Sequence, residues 1–288
     1  MANFNDFLIR HSLIAIIIIM ALYGLFIIVS RLLVVLFFSP LPFLLFIWIQ
    51  FTIVFGTLAL LLFIIIPFGL QLPNGKESFK DFTHSIRLSR FYPWKRNLCL
   101  GFAFATIFCL CTLCFSLLVG KYIFDPTIIF GWPESNNIGI FLFVDMLIPG
   151  IWEEVAFRGI VLTILLKKYS EKKAIIIDGL LFGAMHFLNI IGGADVGSTI
   201  VQVAYATTLG FAFAYMYIKT ESLIPCIIAH YLIDAVNPLF LNVIFRDMLL
   251  ALLGLIILII FLAPLLSILL VKFVMKREKS HQDSHVKY

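Results

Sequence analysis

Three short segments of this sequence place acidic, basic and imidazole side chains inside otherwise apolar runs. A carboxylate and an imidazole together can remove a proton from water and later return it to a leaving amine. A second imidazole beside a carboxylate or an amide can stabilise the oxyanion that develops when water attacks a carbonyl group. The candidate residues are Glu153, Glu154 and Arg158 in the first segment, His186 in the second, and His230, Asp234 and Asn237 in the third.

Helical spacing separates a structural role from a chemical role in the first segment. Glu154 and Arg158 are four residues apart, so their side chains lie one above the other and can form an ion pair. Glu153 points about 100° away from that pair, which leaves its carboxylate free to face a cavity. An ionisable group inside a membrane costs about 2.5–3.5 kcal/mol on insertion scales, so a carboxylate without a partner predicts a function. We expect Glu154 and Arg158 to support the site and Glu153 to act in it.

The third segment offers an oriented imidazole. Asp234 follows His230 by four residues and can hold it in one tautomer, with Asn237 one turn further along the same face. Two histidines with carboxylates would equally suit Zn²⁺, which would then activate the water. The sequence has neither the H-E-x-x-H helix of zincins nor the G-x-G-D motif of aspartyl intramembrane proteases. Whether zinc or glutamate and histidine alone activate the water remains open. The candidate metal ligands are Glu153, His186, His230 and Asp234.

Membrane helices must position these segments. Hydrophobic residues make up 62% of the 288 residues and charged residues only 13%, about half the charged fraction of a typical soluble domain. The apolar runs are long enough to cross a hydrocarbon layer of about 30 Å, and their length favours helices over strands. We predict an all-α, polytopic membrane helix bundle that forms one domain over residues 1–288. The predicted spans, about eight, cover residues 12–38, 43–70, 97–119, 138–166, 174–191, 199–218, 222–239 and 249–273.

Depth along the helices indicates that the polar segments meet. Glu153 and His186 each lie about 13 residues, or about 20 Å, from the basic loop at residues 167–173. His230 lies about 16 Å from Lys219 on its own side of the membrane. Three separate spans thus place their polar groups at a common depth, slightly beyond the middle of the bilayer as seen from the basic side.

The distribution of basic residues predicts the orientation, because cytoplasmic loops of membrane proteins are enriched in Lys and Arg. Most basic residues fall in segments that share one side with both termini, whereas Lys121 and Arg246 fall on the other. Both termini are therefore expected in the cytoplasm, with an even number of spans. The net charge of +5 arises from these basic loops, and it is expected to attract the protein's cytoplasmic side to anionic lipid. It predicts no nucleic-acid partner, which would need a basic face on a soluble module.

The longest polar stretch, residues 76–96, is predicted to form a cytoplasmic amphipathic helix in the headgroup region. Phe79, Phe82 and Ile86 recur there at helical spacing, opposite basic residues. Pro93 is expected to end this helix.

The three polar segments resemble the three motifs of the CPBP family, also called the ABI family, which comprises CAAX prenyl protease 2 and related bacterial proteins. The resemblance covers about residues 140–240, the predicted catalytic core. The motifs are E-E-x-x-x-R at Glu153–Arg158, F-x-x-x-H at Phe182–His186 and H-x-x-x-D at His230–Asp234.

This resemblance implies an eight-helix intramembrane endopeptidase that opens towards the cytoplasm and cleaves a peptide bond near the membrane surface. Glu153 and His186 would activate the water, and His230 and the residue at Asp234 would stabilise the oxyanion. Many relatives carry Asn where this chain has Asp234. An ionised Asp cannot donate a hydrogen bond to an oxyanion, so Asp234 is better suited to orient His230 or to join a metal-ligand shell.

The resemblance also implies a partner, and the loops of the sequence favour a location. The substrate would be a prenylated protein or peptide, or another membrane protein, met in the lipid bilayer. The compact loops favour the plasma membrane of a prokaryote, with the active site accessible from the cytoplasm.

Two other classes of function remain as alternatives. A proton-coupled transporter also uses intramembrane Glu and His, but the sequence shows no inverted repeat and no broken helices in corresponding halves. A non-catalytic membrane scaffold, such as a bacteriocin self-immunity protein, would not need the complete set of polar groups, which would cost stability without a function.

Overall fold

The computed structural model describes residues 2–134 and 137–285 and is built almost entirely from helices. The first helices are α1 (Ala2–Arg10), α2 (Ser12–Phe38), α3 (Phe43–Leu60), α4 (Phe79–Ser85), α5 (Trp94–Val119), α6 (Thr127–Phe130) and α7 (Leu142–Asp145). The remaining helices are α8 (Leu162–Lys168), α9 (Glu171–Met185), α10 (Leu188–Ile191), α11 (Val196–Thr220), α12 (Ile224–Val236), α13 (Met248–Gly254) and α14 (Ala263–His285).

Wider π turns and tighter 3₁₀ turns extend or join several of these helices. Two successive π segments connect α7 to α8, and a third joins α13 to α14. The π segments are Leu61–Gly69 after α3, Ile148–Glu153, Val155–Val161 and Leu255–Leu262, and the 3₁₀ turns are Gly139–Phe141 and Asn237–Phe240.

The predicted all-α membrane bundle is confirmed. Six of the described helical segments are long and apolar enough to cross a membrane: Ser12–Phe38, Phe43–Gly69, Trp94–Val119, Glu171–Ile191, Val196–Thr220 and Met248–Glu278. They correspond to six of the predicted spans. The other two predictions, 138–166 and 222–239, fall on a chain of short helical pieces and on a shorter apolar helix, Ile224–Phe240. The total of eight and the cytoplasmic position of the termini stay predictions.

The two irregular spans carry Glu153 and His230. A proline and a glycine in the first span help to explain how closely the two spans pack. Pro149 lies at the start of a π segment, where a missing backbone donor is tolerated. A Cβ atom on Gly150 would lie 2.8 Å from the Cβ of Tyr231 on α12. Because Gly150 lacks that atom, the backbone just before Glu153 can approach α12 beside His230.

Close packing of α9 against α11 builds the other wall of the site. A Cβ on Gly179 would overlap the ring of Phe211, and a Cβ on Gly183 would overlap Thr207. On the partner helix, a Cβ on Gly210 would lie 2.9 Å from the Cα of Gly179. Small residues spaced by four allow helix backbones to approach closely in a membrane. This crossing therefore depends on glycine at each of the three positions.

The basic segments that were predicted to share one side do meet. Arg87 donates to the carbonyl of Tyr217 at 3.0 Å and Arg96 donates to that of Thr220 at 2.8 Å. The Lys219 ammonium lies 2.6 Å from the carboxylate of Glu171. These contacts place the segment after α3, the start of α9 and the end of α11 at one end of the bundle.

The opposite end carries a short antiparallel ribbon. Strand β1 (Gly120–Tyr122) pairs with β2 (Val243–Phe245), with Lys121 opposite Ile244. The amide of Arg246 donates to the carbonyl of Val119 at 3.1 Å. Lys121 and Arg246, the two basic residues assigned to the other side, thus lie together at this end.

The predicted amphipathic helix over 76–96 is too long. Helix α4 is confined to Phe79–Ser85, where Ser78 caps its start by accepting from the Asp81 amide at 3.2 Å. Arg87 then adopts a left-handed backbone with φ 59°, which no helix continues through. Pro93 does not end this helix but precedes the first residue of α5.

Candidate active site

The centre of the bundle holds a fully buried ion cluster. Arg158 Nη1 lies 3.0 Å from Glu154 Oε1, as their four-residue spacing predicts. The same guanidinium places Nε 3.4 Å from Asp178 Oδ2 and donates from Nη2 to the carbonyl of Gly210 at 3.3 Å. All three charged side chains are shielded completely from solvent. Arg158 therefore ties its own segment to α9 and to α11.

His230 joins this cluster to the predicted catalytic carboxylates. Its Nδ1 lies 2.7 Å from Glu154 Oε1. Its Nε2 lies 3.3 Å from Asp234 Oδ2 and 3.9 Å from Glu153 Oε2. Both ring nitrogens thus face carboxylates, and a protonated imidazole would donate from both of them. The predicted contact between His230 and Asp234 is present, and Glu154 provides a second one.

Aromatic rings hold the imidazole of His230 in this orientation. The ring of Phe213 stacks on it at a centroid distance of 5.3 Å, and Phe182 meets it edge-on at 5.8 Å. The Arg158 guanidinium lies 4.2 Å from the centroid of Phe182 and 5.2 Å from that of Phe213. These contacts add cation–π attraction to the ion pairs. Phe182, the first residue of the F-x-x-x-H motif, is therefore a wall of the site.

His186 lies where α9 ends and presents one nitrogen to the site. Its Nδ1 is 3.0 Å from the carbonyl oxygen of Phe182, so it donates there when it carries the proton. That leaves Nε2 as the nitrogen that can accept a proton. Glu153 lies within electrostatic reach of His186, His230 and Asp234, which brings the four predicted catalytic side chains into one neighbourhood.

Exposure divides the site into two layers. The side chains of Glu153 and Asp234 are 22% and 31% exposed, and His186 is partly exposed. Glu154, Arg158 and Asp178 are fully buried beneath them. The outer layer can meet water and substrate, whereas the inner layer can act only through its contacts with the outer one.

Asn237 does not join the other site residues through its side chain. It begins the 3₁₀ turn that follows α12, so the helical face predicted from its spacing ends one residue earlier. Its Oδ1 is buried and accepts no hydrogen bond from the part of the chain that the structure describes. The supporting role predicted for Asn237 stays a prediction.

Sequence reasoning missed Asp178 and Tyr23. Asp178 is a fully buried acid, neither of whose oxygens has a hydrogen-bond partner among the described residues. Tyr23 on α2 is 3% exposed, and its hydroxyl lies within electrostatic reach of Glu153. A charged residue within a predicted span is itself a signal of function, so Asp178 could have been found. Tyr23 carries no such signal.

The role of Glu153, His186, His230 and Asp234 as metal ligands stays a prediction. Among the side chains of residues 4–134 and 137–278, no three His, Cys, Asp or Glu gather as ligands of one ion. His230 Nδ1 contacts the buried Glu154, and His186 Nδ1 contacts a backbone carbonyl. Both rings therefore keep Nε2 for the site, as a metal-ligating histidine or an acid–base histidine would.

A helical membrane bundle with a buried ion cluster beneath partly exposed Glu, His and Asp side chains defines an integral membrane protein with a polar site at its centre. Residues 135–236 match the family model described as type II CAAX prenyl endopeptidase Rce1-like. This match confirms the recognition made from the three motifs: the segment is similar to that family. The match contains Glu153, His186, His230 and Asp234 but not Asn237.

The family supports a CAAX-protease-like endopeptidase that acts within the membrane. Neither a search of characterised proteins nor a search of solved structures gives a match.

Proposed function

We propose that this protein hydrolyses a peptide bond with a water molecule activated by Glu153 and His186. The observation that carries the proposal is the contrast between two adjacent carboxylates. Glu154 is fully buried and contacts Arg158, whereas Glu153 is partly exposed and lies 3.9 Å from His230 Nε2. A buried carboxylate held by an arginine supports structure, and an open one beside two imidazoles suits a general base.

In the proposed reaction Glu153 takes a proton from water while the hydroxide that forms attacks the peptide carbonyl. His186 Nε2 assists in holding the water. The oxyanion lies towards His230 Nε2, because Nδ1 is held by the fully buried Glu154 at 2.7 Å, whereas Nε2 faces the partly exposed Asp234 at the longer distance of 3.3 Å. The proton held by Glu153 then passes to the leaving amine, which restores the carboxylate.

Asp234 and Glu154 act in this scheme by orienting His230. Together they place carboxylates at both ring nitrogens and favour the doubly protonated imidazole that an oxyanion requires. Zn²⁺ is retained as the alternative activator of the water, and its presence is a matter for direct measurement. The proposed substrate is a prenylated or other membrane-associated protein, which reaches the site from the cytoplasm of a prokaryotic cell.

The test compares purified wild type with Glu153→Gln and with Glu171→Gln, a control that removes an exposed carboxylate paired with Lys219. Each protein is incubated in detergent with prenylated and unprenylated peptides, and cleavage is followed by mass spectrometry. We expect Glu153→Gln to lose about 10²–10⁴-fold in rate, the usual contribution of a general base, and Glu171→Gln to retain activity.

Bound metal is quantified on the same samples. Activity without bound zinc would support the glutamate–histidine route, whereas stoichiometric zinc would favour the metal. Equal cleavage by wild type and Glu153→Gln would exclude the role given to Glu153. No cleavage by any of the proteins would favour the scaffold or the transporter.

A further inference from the structure

A second polar cavity lies away from the candidate active site, at the end of the bundle where the basic segments meet. Its volume is about 320 Å³. The walls come from the junction of α1 and α2, from the turn after α3, and from the end of α8. None of these wall residues belongs to the motifs that carry the proposed chemistry.

The cavity is rich in positive charge. Arg10, Lys167 and Lys168 line it, and no acidic residue of the described chain does. The charge of Glu77 acts on Lys167, but the Glu77 carboxylate accepts hydrogen bonds from Asn74 and Ser85. Lys167 also donates to the carbonyl of Pro73 at 2.7 Å, which fixes its ammonium at the rim of the cavity. This arrangement attracts an anion.

The side chain of Ser12 independently indicates that the cavity binds a ligand. It lines the same cavity and is only 6% exposed, yet its hydroxyl has no hydrogen-bond partner among the side chains of residues 4–134 and 137–278 or the described backbone. A buried hydroxyl without a partner is unfavourable. Ser12 is also the first residue of α2, a helix of 27 residues whose start has no side-chain cap. Its backbone amides and its dipole favour a negative charge at this position.

Apolar side chains, both buried and exposed, adjoin the cavity. Leu8 and Ile164 form buried walls, and Ile9 lines the cavity while remaining 43% exposed. Leu13 and Ile17, four residues apart near the start of α2, form a row of exposed apolar side chains. An acyl chain could lie along this row while its headgroup enters the cavity.

We propose that this cavity binds the phosphate headgroup of an anionic phospholipid. Arg10, Lys167 and Lys168 would neutralise the phosphate, and the Ser12 hydroxyl would donate a hydrogen bond to one of its oxygens. The bound lipid would link α1 to the end of α8, the helix that continues the segment bearing Glu153. This proposal does not rest on the proposed hydrolytic function, because lipid binding can be measured without substrate.

Native mass spectrometry of the full-length protein in detergent tests it with three probes: phosphatidylglycerol, phosphatidylcholine and inorganic phosphate. Wild type is expected to retain phosphatidylglycerol preferentially. The variant Lys167→Gln/Lys168→Gln should bind it at least about tenfold more weakly, because two lysine contacts with anionic lipid are lost. The matched control Lys272→Gln/Lys276→Gln removes two exposed basic residues at the same end, outside the cavity, and should bind as wild type does.

Ser12→Ala keeps all charges and should weaken binding by a smaller factor, about threefold, through the lost hydrogen bond. This variant also tests the site if the double lysine variant fails to fold. Equal weakening by both double variants would overturn the site in favour of diffuse attraction to basic residues. If wild type retained phosphatidylcholine as well as phosphatidylglycerol, the cavity would bind acyl chains and not an anionic headgroup, and the proposal would be wrong. If inorganic phosphate bound as strongly as the lipid, the assignment to phospholipid would be overturned.

Discussion

Replacing Arg158 with methionine removes the guanidinium that lies between Glu154 and Asp178 in the buried layer of the site. Methionine keeps much of the side-chain volume but leaves the two carboxylates without that cation. Asp178 is affected most, because Arg158 Nε at 3.4 Å is its charged contact and neither of its oxygens accepts a hydrogen bond from a described residue. Glu154 retains its contact with His230 at 2.7 Å.

The magnitude follows from the burial. All three charged side chains are completely shielded, and removal of one partner from a buried ion pair costs about 3–5 kcal/mol. The exposed pair Arg90–Glu221, with 33% and 68% side-chain exposure, provides the control. Arg90→Met should cost less than about 1 kcal/mol, the usual worth of a surface pair.

The double variant Arg158→Met/Asp178→Asn separates lost charge pairing from lost packing. If unpaired charge causes the destabilisation, removing the carboxylate should recover about 1–3 kcal/mol, within the range of coupling energies for contacting residues. Unfolding of the purified proteins in detergent, followed by circular dichroism against temperature and denaturant, gives the four free energies of the cycle. A loss below about 1 kcal/mol for Arg158→Met, or no recovery in the double variant, would refute the reasoning.

Two further predictions concern the orientation of His230 and the crossing of α9 and α11. Asp234→Asn should cleave peptide at a rate within about tenfold of wild type, because the amide still contacts His230 Nε2. Asp234→Ala should lose more of the rate, because that contact is removed. Peptide-cleavage rates of the two variants test this, and equal losses would contradict an orienting role for Asp234. Gly183→Ala should destabilise the protein by about 1–3 kcal/mol, because the added Cβ overlaps Thr207. Gly56→Ala, whose Cβ meets nothing within 4 Å, is the control in the same unfolding assay, and similar values for both glycines would contradict the packing argument.

Much of the site could be predicted because its first contacts are local. Glu154–Arg158 and His230–Asp234 are both four residues apart, and in a helix such residues share a face whatever the tertiary structure. The class of the protein was equally predictable. Composition alone requires that the chain's solvent be lipid, and a chain in lipid must satisfy its backbone internally with helices.

The sequence did not predict the contacts that hold the site together. Asp178 meets Arg158 from another helix, and His230 meets Glu154 across 76 positions of the chain. Hydrophobic periodicity indicates which residues are buried, but it does not indicate which helices are neighbours. It also missed the short length of α4, because the left-handed backbone at Arg87 follows from packing rather than from residue type.

The sequence by itself determined that this is a helical membrane protein with three polar motifs at a common depth, because hydropathy and helical spacing are properties of the chain alone. The tertiary structure decided which carboxylate is open and which is buried. Glu153 and Glu154 are adjacent and chemically identical, and only the packing of α9, α11 and α12 around them leaves the first 22% exposed and the second fully enclosed.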